Sequence, residues 1–121
     1  MKGLVELTDK EGKVVFECLI GLQTLIDFSK LNNMPFNQIL TELSDKGDPM
    51  NQLKLFRSMI YCGIVNFHEY NETPFSMTEK KVYLTIDTNG LMTPKVLKEV
   101  SDAIVRGFEG FSDTKGETKK K

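Results

Sequence analysis

The sequence predicts an α+β protein that is mainly α, with an N-terminal β-hairpin packed on a bundle of four to five helices. Three observations support this fold class. Two segments rich in β-branched and apolar residues flank the polar connector "DKEG" near the N-terminus. Apolar residues recur at helical spacing through the rest of the chain. Proline directly follows a good N-cap residue at Asp48–Pro49 and at Thr93–Pro94, as is typical of helix starts.

The first predicted element is the hairpin, whose strands "GLVELT" and "KVVFECLI" are joined by a four-residue loop. Alternation in the second strand places Val14, Phe16 and Cys18 on one face. A lone hairpin is marginally stable in water, so we expect one of its faces to pack on the helices.

Two shorter helices are predicted next. Gly21 separates the first from the preceding strand, and the helix should end within "LNNMP", because the residue before Pro35 disfavours helix. Its apolar face consists of Leu22, Leu25, Ile26 and Phe28. The second helix follows the i, i+3, i+4, i+7 pattern through Phe36, Ile39, Leu40 and Leu43.

A long helix is predicted from Asp48, as N-cap, to about residue 66. It carries two apolar stripes, which predict a central helix contacted from more than one direction. The stripes consist of Leu53, Phe56, Ile60, Ile64 and Phe67, and of Leu55, Met59 and Cys62, whereas Asn51, Lys54 and Ser58 mark the predicted wet side. The segment "HEYNETPFS" is predicted to be a loop.

The signals conflict over 81–87. Ser76 and Glu79 form the S-x-x-E pattern of a capping box, which predicts a helix starting near Met77. The alternating, β-branched "KVYLTI" predicts a strand instead. Helix is favoured because cap chemistry is the more specific signal, and the strand remains the alternative. "DTNG" is predicted to be a turn.

The last predicted helix has Thr93 as N-cap and ends at Gly107 and Gly110. Its predicted buried face consists of Leu97, Val100, Ile104 and Phe108. We expect a single globular domain over 1–111 and a disordered basic tail over 112–121, where four lysines stand against one Asp and one Glu.

Composition excludes several classes of protein. The chain of 121 residues has 16 basic and 17 acidic side chains, so no strong field favours binding to nucleic acid or to an anionic membrane. No apolar segment is long enough to span a membrane. Two cysteines do not make a disulfide framework, and the N-terminus lacks the apolar core of a signal peptide. We therefore expect a cytoplasmic protein with reduced thiols.

The segment "YCGIVNFHEY" places a thiol, an imidazole and a carboxylate close together, which raises the question of an active site. Cys62, however, belongs to an apolar stripe, where burial raises the pKa of a thiol and lowers its reactivity. His68 is explained by its place near the helix C-terminus, where a cation complements the helix dipole. One histidine and two scattered cysteines cannot supply the ligands of a structural zinc site. We predict no catalytic residue, no metal and no cofactor.

The order and lengths of the elements resemble a known family. The segments "VELTDKEGKVVFEC", "IGLQTLIDFSK", "FNQILTEL", "DPMNQLKLFRSMIYCGIVNF", "FSMTEKKVYLTID" and "LKEVSDAIVRGF" resemble the tail assembly chaperones of long-tailed bacteriophages. In that family a long helix ends in an aromatic-x-Gly step, here "YCGI", and is followed by a T-x-E helix start and an Asp-Gly-type turn, here "MTEKK" and "DTNG". The resemblance covers roughly residues 3–111.

The resemblance implies a non-enzymatic protein of the bacterial host cytoplasm. Such chaperones bind the tape measure protein, keep it soluble and present it to tail tube subunits, so these two proteins are the implied partners and self-association is expected on binding. The alternatives are a small cytoplasmic adaptor or regulatory protein of a mobile element, and a cysteine-dependent enzyme acting at Cys62.

Phe108 and Phe111 are the predicted partner-binding residues. They bracket a glycine at the end of the last helix, where two phenylalanines are hard to bury together. The alternative is that Phe108 belongs to the core and Phe111 closes the helix end by a local contact. The six methionines suggest either adaptable core filler or an adaptable binding surface, the latter because Met34, Met50 and Met92 lie beside loops and prolines.

Overall fold

The computed structural model describes the backbone of residues 3–43 and 48–120, and the side chains of 3–43 and 48–109. It has a two-stranded antiparallel hairpin followed by five helices, so the predicted fold class is confirmed. The elements in chain order are β1 (Leu4–Thr8), β2 (Val14–Leu19), α1 (Leu22–Asn32), α2 (Phe36–Glu42), α3 (Pro49–Tyr70), α4 (Glu79–Asn89) and α5 (Pro94–Lys120).

The hairpin packs one face on the helices, as expected. Val5 and Leu7 of β1 and Phe16 and Cys18 of β2 are buried, whereas Val14 at the start of β2 is 40% exposed. The strands pair Leu4 with Leu19 and Leu7 with Phe16, and a register shift follows between Leu7 and Thr8. Underneath the sheet, α3 packs against β2 and α5 packs against β1.

Helix α3 is the centre of the fold, as its two apolar stripes predict. It contacts β2, α1, α4 and α5. Asp48 caps its start by accepting a hydrogen bond from the backbone N–H of Asn51. The buried apolar residues form one cluster, to which α3 contributes Leu55, Phe56, Met59, Ile60, Cys62 and Ile64.

Ser58 is buried, so its predicted place on the wet side of α3 was wrong. Its Oγ accepts a hydrogen bond from Asn32 Nδ2 at 2.8 Å, and this polar partner on α1 makes burial of the hydroxyl acceptable.

Helix α3 also continues to Tyr70, past the predicted end near residue 66. No glycine or proline interrupts the chain between Ile64 and Asn71, the residue that caps the helix end, so nothing stops it earlier.

Residues 81–87 are helical, so the prediction of helix is confirmed and the strand alternative is wrong. The start is corrected, however, because Thr78 is the N-cap instead of Ser76. Its hydroxyl accepts a hydrogen bond from the backbone N–H of Lys81. The helix also includes Asp87–Asn89 of the predicted turn, and Gly90 ends it in the left-handed conformation.

Helix α5 begins as predicted, with Thr93 Oγ1 accepting from the backbone N–H of Val96. It continues past Gly107 and Gly110, so its predicted end was wrong. A Cβ on Gly107 would lie 3.0 Å from Leu25 Cδ1, so this glycine allows a close approach to α1 instead of ending the helix. The predicted disordered tail over 112–121 lies outside the residues whose side chains are described.

Candidate partner-binding surfaces

Cys62 lies in the core on α3, which confirms the prediction of a buried thiol on the central helix. Its side chain is 4% exposed. Burial, together with the carboxylates of Asp27 and Glu79, raises the pKa of Cys62 to about 12. The thiol is therefore protonated at neutral pH, and the nucleophilic thiolate is scarce. Cys18 is also free and buried, and burial raises the pKa of its thiol further.

His68 lies in the last turn of α3 and is engaged locally. Its Nδ1 is 2.8 Å from Thr73 Oγ1, and its ring stacks on Phe75 with the centroids 4.7 Å apart. These contacts hold the loop after α3 against the end of the helix. Across the described residues, no group of three or more His, Cys, Asp or Glu side chains is placed to hold a metal ion. No helix in the same residues is both long and apolar enough to cross a membrane.

An apolar groove lies between α2 and α5, with a volume of about 190 Å³. It is lined by Leu40 of α2, by Leu43 at the C-cap of α2, and by Ser101, Ile104 and Val105 from α5. Leu40 is 44% exposed and Val105 is 43% exposed, so the groove presents two branched aliphatic side chains to solvent. Its lining contains no charged group and one hydroxyl. This arrangement can bind an apolar side chain.

Phe108 lies one helical turn beyond Ile104 on α5, next to this groove but outside its lining. It makes an edge-to-face contact with Phe36 across α2 and α5, with the ring centroids 5.7 Å apart. Phe36 likewise precedes Leu40 by one helical turn, so the two rings lie beside the groove. Phe108 is partly buried against the core and keeps part of its surface exposed. Its role in binding stays a prediction, and the side chain of Phe111 lies outside the described residues.

A second partly apolar surface surrounds Met50, which is 63% exposed. Leu53 and Met92 line it together with Lys54, Arg57 and Asp87. Its main charges are already paired, because Arg57 forms a salt bridge to Asp87 at 3.3 Å and lies over the ring of Tyr83 at 4.5 Å. Met34, by contrast, packs partly buried against the core. The methionines of the described residues therefore divide between the core and a small surface.

Sequence reasoning assigned Leu40 to the apolar face of α2 and did not single out Val105. One signal was available: Val105 directly follows the buried Ile104, so it projects beyond the main stripe of α5. Its juxtaposition with Leu40 depends on how α2 packs on α5, which no local pattern reveals.

Comparison with known proteins adds no relative: no protein-family model, no curated protein and no solved structure matches this chain.

Proposed function

We propose that this protein is a non-enzymatic tail assembly chaperone of a long-tailed bacteriophage, acting in the cytoplasm of the bacterial host. It binds an apolar helical segment of the tape measure protein and helps to recruit tail tube subunits. The observation that carries the proposal is the α2–α5 groove, with Leu40 and Val105 exposed at its sides. The sequence resemblance supplies the identity of the partner.

The groove suits the apolar face of an amphipathic helix. Helices α2 and α5 form its walls, and a helix of the partner can place one or two aliphatic side chains between them. Burying a Leu or Val side chain fully contributes about 1.5–3 kcal/mol, so a groove of this size gives modest affinity for each segment. Modest affinity suits a chaperone that covers many equivalent segments of a long helical chain and then leaves. Self-association along the partner would raise the total affinity.

The runner-up function is a small cytoplasmic adaptor or regulatory protein of a mobile element. It would use the same groove for a different helical ligand, so the identity of the partner separates the two functions. Finding a gene for a tape measure protein directly downstream would favour the chaperone function over the adaptor function.

The test is co-expression of the chain with the candidate tape measure protein from the neighbouring gene. We expect the tape measure protein to become soluble and to co-purify with this chain. Leu40→Glu and Val105→Glu should each abolish co-purification, because they place a charge in the apolar groove. Both side chains are more than two-fifths exposed, so these substitutions leave the core intact.

Leu84→Glu is the matched control. Leu84 is 50% exposed on α4 and does not line the groove, so this variant should still solubilise the partner. If the tape measure protein is equally soluble without this chain and no complex forms, the chaperone function is wrong. If all three variants bind equally, the partner contacts another surface and the assignment of the groove is wrong.

A further inference from the structure

The outer edge of β1 carries backbone groups that the hairpin does not use. Ile20 N–H donates to Gly3 C=O, so Gly3, Val5 and Leu7 exchange hydrogen bonds with β2 in the alternation of an antiparallel pair. The N–H and C=O groups of Leu4, Glu6 and Thr8 therefore point away from β2. Within the described part of the chain, no hydrogen bond from another element reaches these groups.

This edge lies in a groove of about 530 Å³ between β1 and α5. The strand side is lined by Leu4, Val5, Glu6 and Thr8, and the helix side by Lys95, Glu99, Asp102, Ala103 and Arg106. These strand residues include Leu4, Glu6 and Thr8, whose backbone groups point away from β2. A sheet edge beside a helix is the arrangement that accepts an added strand in peptide-binding domains. The groove lies on a different face of α5 from the one that lines the α2–α5 groove.

The dimensions of the two walls match one short segment. From Leu4 to Thr8, β1 rises about 14 Å as a strand. Lys95, Glu99, Asp102 and Arg106 follow one another at steps of four, three and four, so they form one stripe along α5. The rise from Lys95 to Arg106 is about 16 Å along a helix, which is close to the length of β1. The two walls of the groove are therefore of similar length.

The charges along the stripe favour a basic residue at the centre of the added strand. Glu99 and Asp102 lie in the middle of the stripe, with Lys95 and Arg106 at its two ends. Glu6 of β1 lines the centre of the strand wall, but its side chain lies on the opposite face of the sheet from the helices. Asp102 Oδ2 also bonds Lys98 Nζ at 3.2 Å, but this pair is solvent-exposed and weak. The centre of the groove is therefore acidic.

The same charges disfavour a second copy of this chain. Antiparallel pairing of two β1 strands about their centres would place Glu6 opposite the equivalent glutamate, and like charges directly opposite one another are destabilising. The stripe reads basic, acidic, acidic, basic, so an antiparallel copy of it would also align like charges. We infer that the β1–α5 groove binds an extended segment of a partner protein through main-chain pairing with β1, with a lysine or arginine of that segment directed at Glu99 and Asp102.

The probe is an acetylated and amidated heptapeptide, Thr-Val-Thr-Lys-Thr-Val-Thr, followed by NMR. We expect binding to slow amide exchange at Leu4, Glu6 and Thr8, because these N–H groups gain acceptors. Replacing the central lysine by glutamate should weaken binding about tenfold, since it brings like charges together. N-methylating one peptide amide that faces β1 should weaken binding about fivefold by removing a hydrogen bond.

Two variants of the protein test whether the charge inside the groove sets the preference for the lysine peptide. Glu99→Lys should reverse the preference, so that the glutamate peptide binds better. Glu109→Lys makes the same change on an exposed residue of α5 outside the groove and should leave the preference unchanged. Equal affinity for the lysine and glutamate peptides, or unchanged amide exchange in β1 at saturating peptide, would overturn the inference. A concentration-dependent dimer that itself protects these amides would assign the edge to a second copy and would also overturn it.

Discussion

Gly63 is the residue on which the contact between the hairpin and α3 depends. A Cβ at this position would lie 2.2 Å from Cys18 Sγ and 3.3 Å from the backbone oxygen of Leu19. The absence of a side chain therefore lets β2 lie directly on the central helix. This is the glycine of the "YCGI" step, which the sequence resemblance singled out and for which the structure gives a steric reason.

We expect Gly63→Ala to destabilise the protein by about 1–3 kcal/mol, because the added methyl overpacks a closed core and forces the hairpin outward. Thermal or urea unfolding would measure the loss. Cys18→Ala removes the sulfur that clashes, so Gly63→Ala should cost less in a Cys18→Ala background than in the native chain. A methyl that costs nothing in the native background would show that β2 lies farther from α3.

The raised pKa of Cys62 predicts a loss of stability at alkaline pH. The unfolded thiol titrates near its ordinary value of 9.0, whereas the folded one titrates at about 12. Below pH 9 both the folded and the unfolded state hold the proton, so this thiol does not make the free energy of unfolding depend on pH. Between pH 9 and 12 the unfolded state releases the proton and the folded state retains it, so stability falls by about 1.4 kcal/mol per pH unit.

Urea unfolding of the native chain and of Cys62→Ser at several pH values isolates this contribution. The difference between their unfolding free energies should be constant below pH 9 and should shrink as the pH rises towards 12. A constant difference across the range would show that the thiol titrates normally in the folded state. A thiol reagent in native buffer gives a second measurement, in which Cys62 should react far more slowly than an exposed cysteine.

The start of helix α4 allows a direct test at the level of one element. Thr78 accepts the hydrogen bond from Lys81 N–H, whereas Ser76 lies two residues before the cap. Thr78→Ala should therefore destabilise the protein by about 1 kcal/mol. Ser76→Ala should be nearly neutral and serves as the matched control in the same unfolding measurement. A larger loss of stability in Ser76→Ala than in Thr78→Ala would show that Ser76 is the N-cap.

Local cap chemistry explains which elements could be predicted from the sequence. Asp48–Pro49 and Thr93–Pro94 each offer one cap followed by proline, and both helices begin there. Before α4, Ser76 and Thr78 compete within two residues, and a pattern alone does not decide between them. Buried Ser58 was missed because its partner Asn32 is 26 residues away in sequence.

The candidate surfaces were predictable only in part, because they form between elements. Phe108 was chosen from sequence; its ring contacts Phe36 of α2, and its role in binding stays a prediction. Leu40 and Val105 come together through packing of α2 on α5, and the β1 edge faces α5 through the placement of the whole hairpin. Such juxtapositions depend on contacts distant in sequence, which periodicity does not encode.

At the scale of the whole molecule, the stability of the fold should not depend on its last residues. The described core is complete without the segment 112–121, which contains no apolar residue. Deleting this segment should change the melting temperature by less than about 2 °C, since 1 kcal/mol shifts a domain of this size by several degrees. Circular dichroism of the full and shortened chains measures the difference. A drop of several degrees would show that the segment packs on the domain.

Helix α2 forms one wall of the α2–α5 groove and is a short helix. It has seven residues, the side chain of its N-cap Pro35 accepts no hydrogen bond from the first turn, and Ile39 is its one fully buried residue among those described. Local opening of such an element costs much less free energy than global unfolding. Transient openings of α2 would vary the width of the groove while α3 and the hairpin stay folded. Such openings would let the groove accept helices whose anchors differ in size, which would suit the proposed binding to many segments of one long chain.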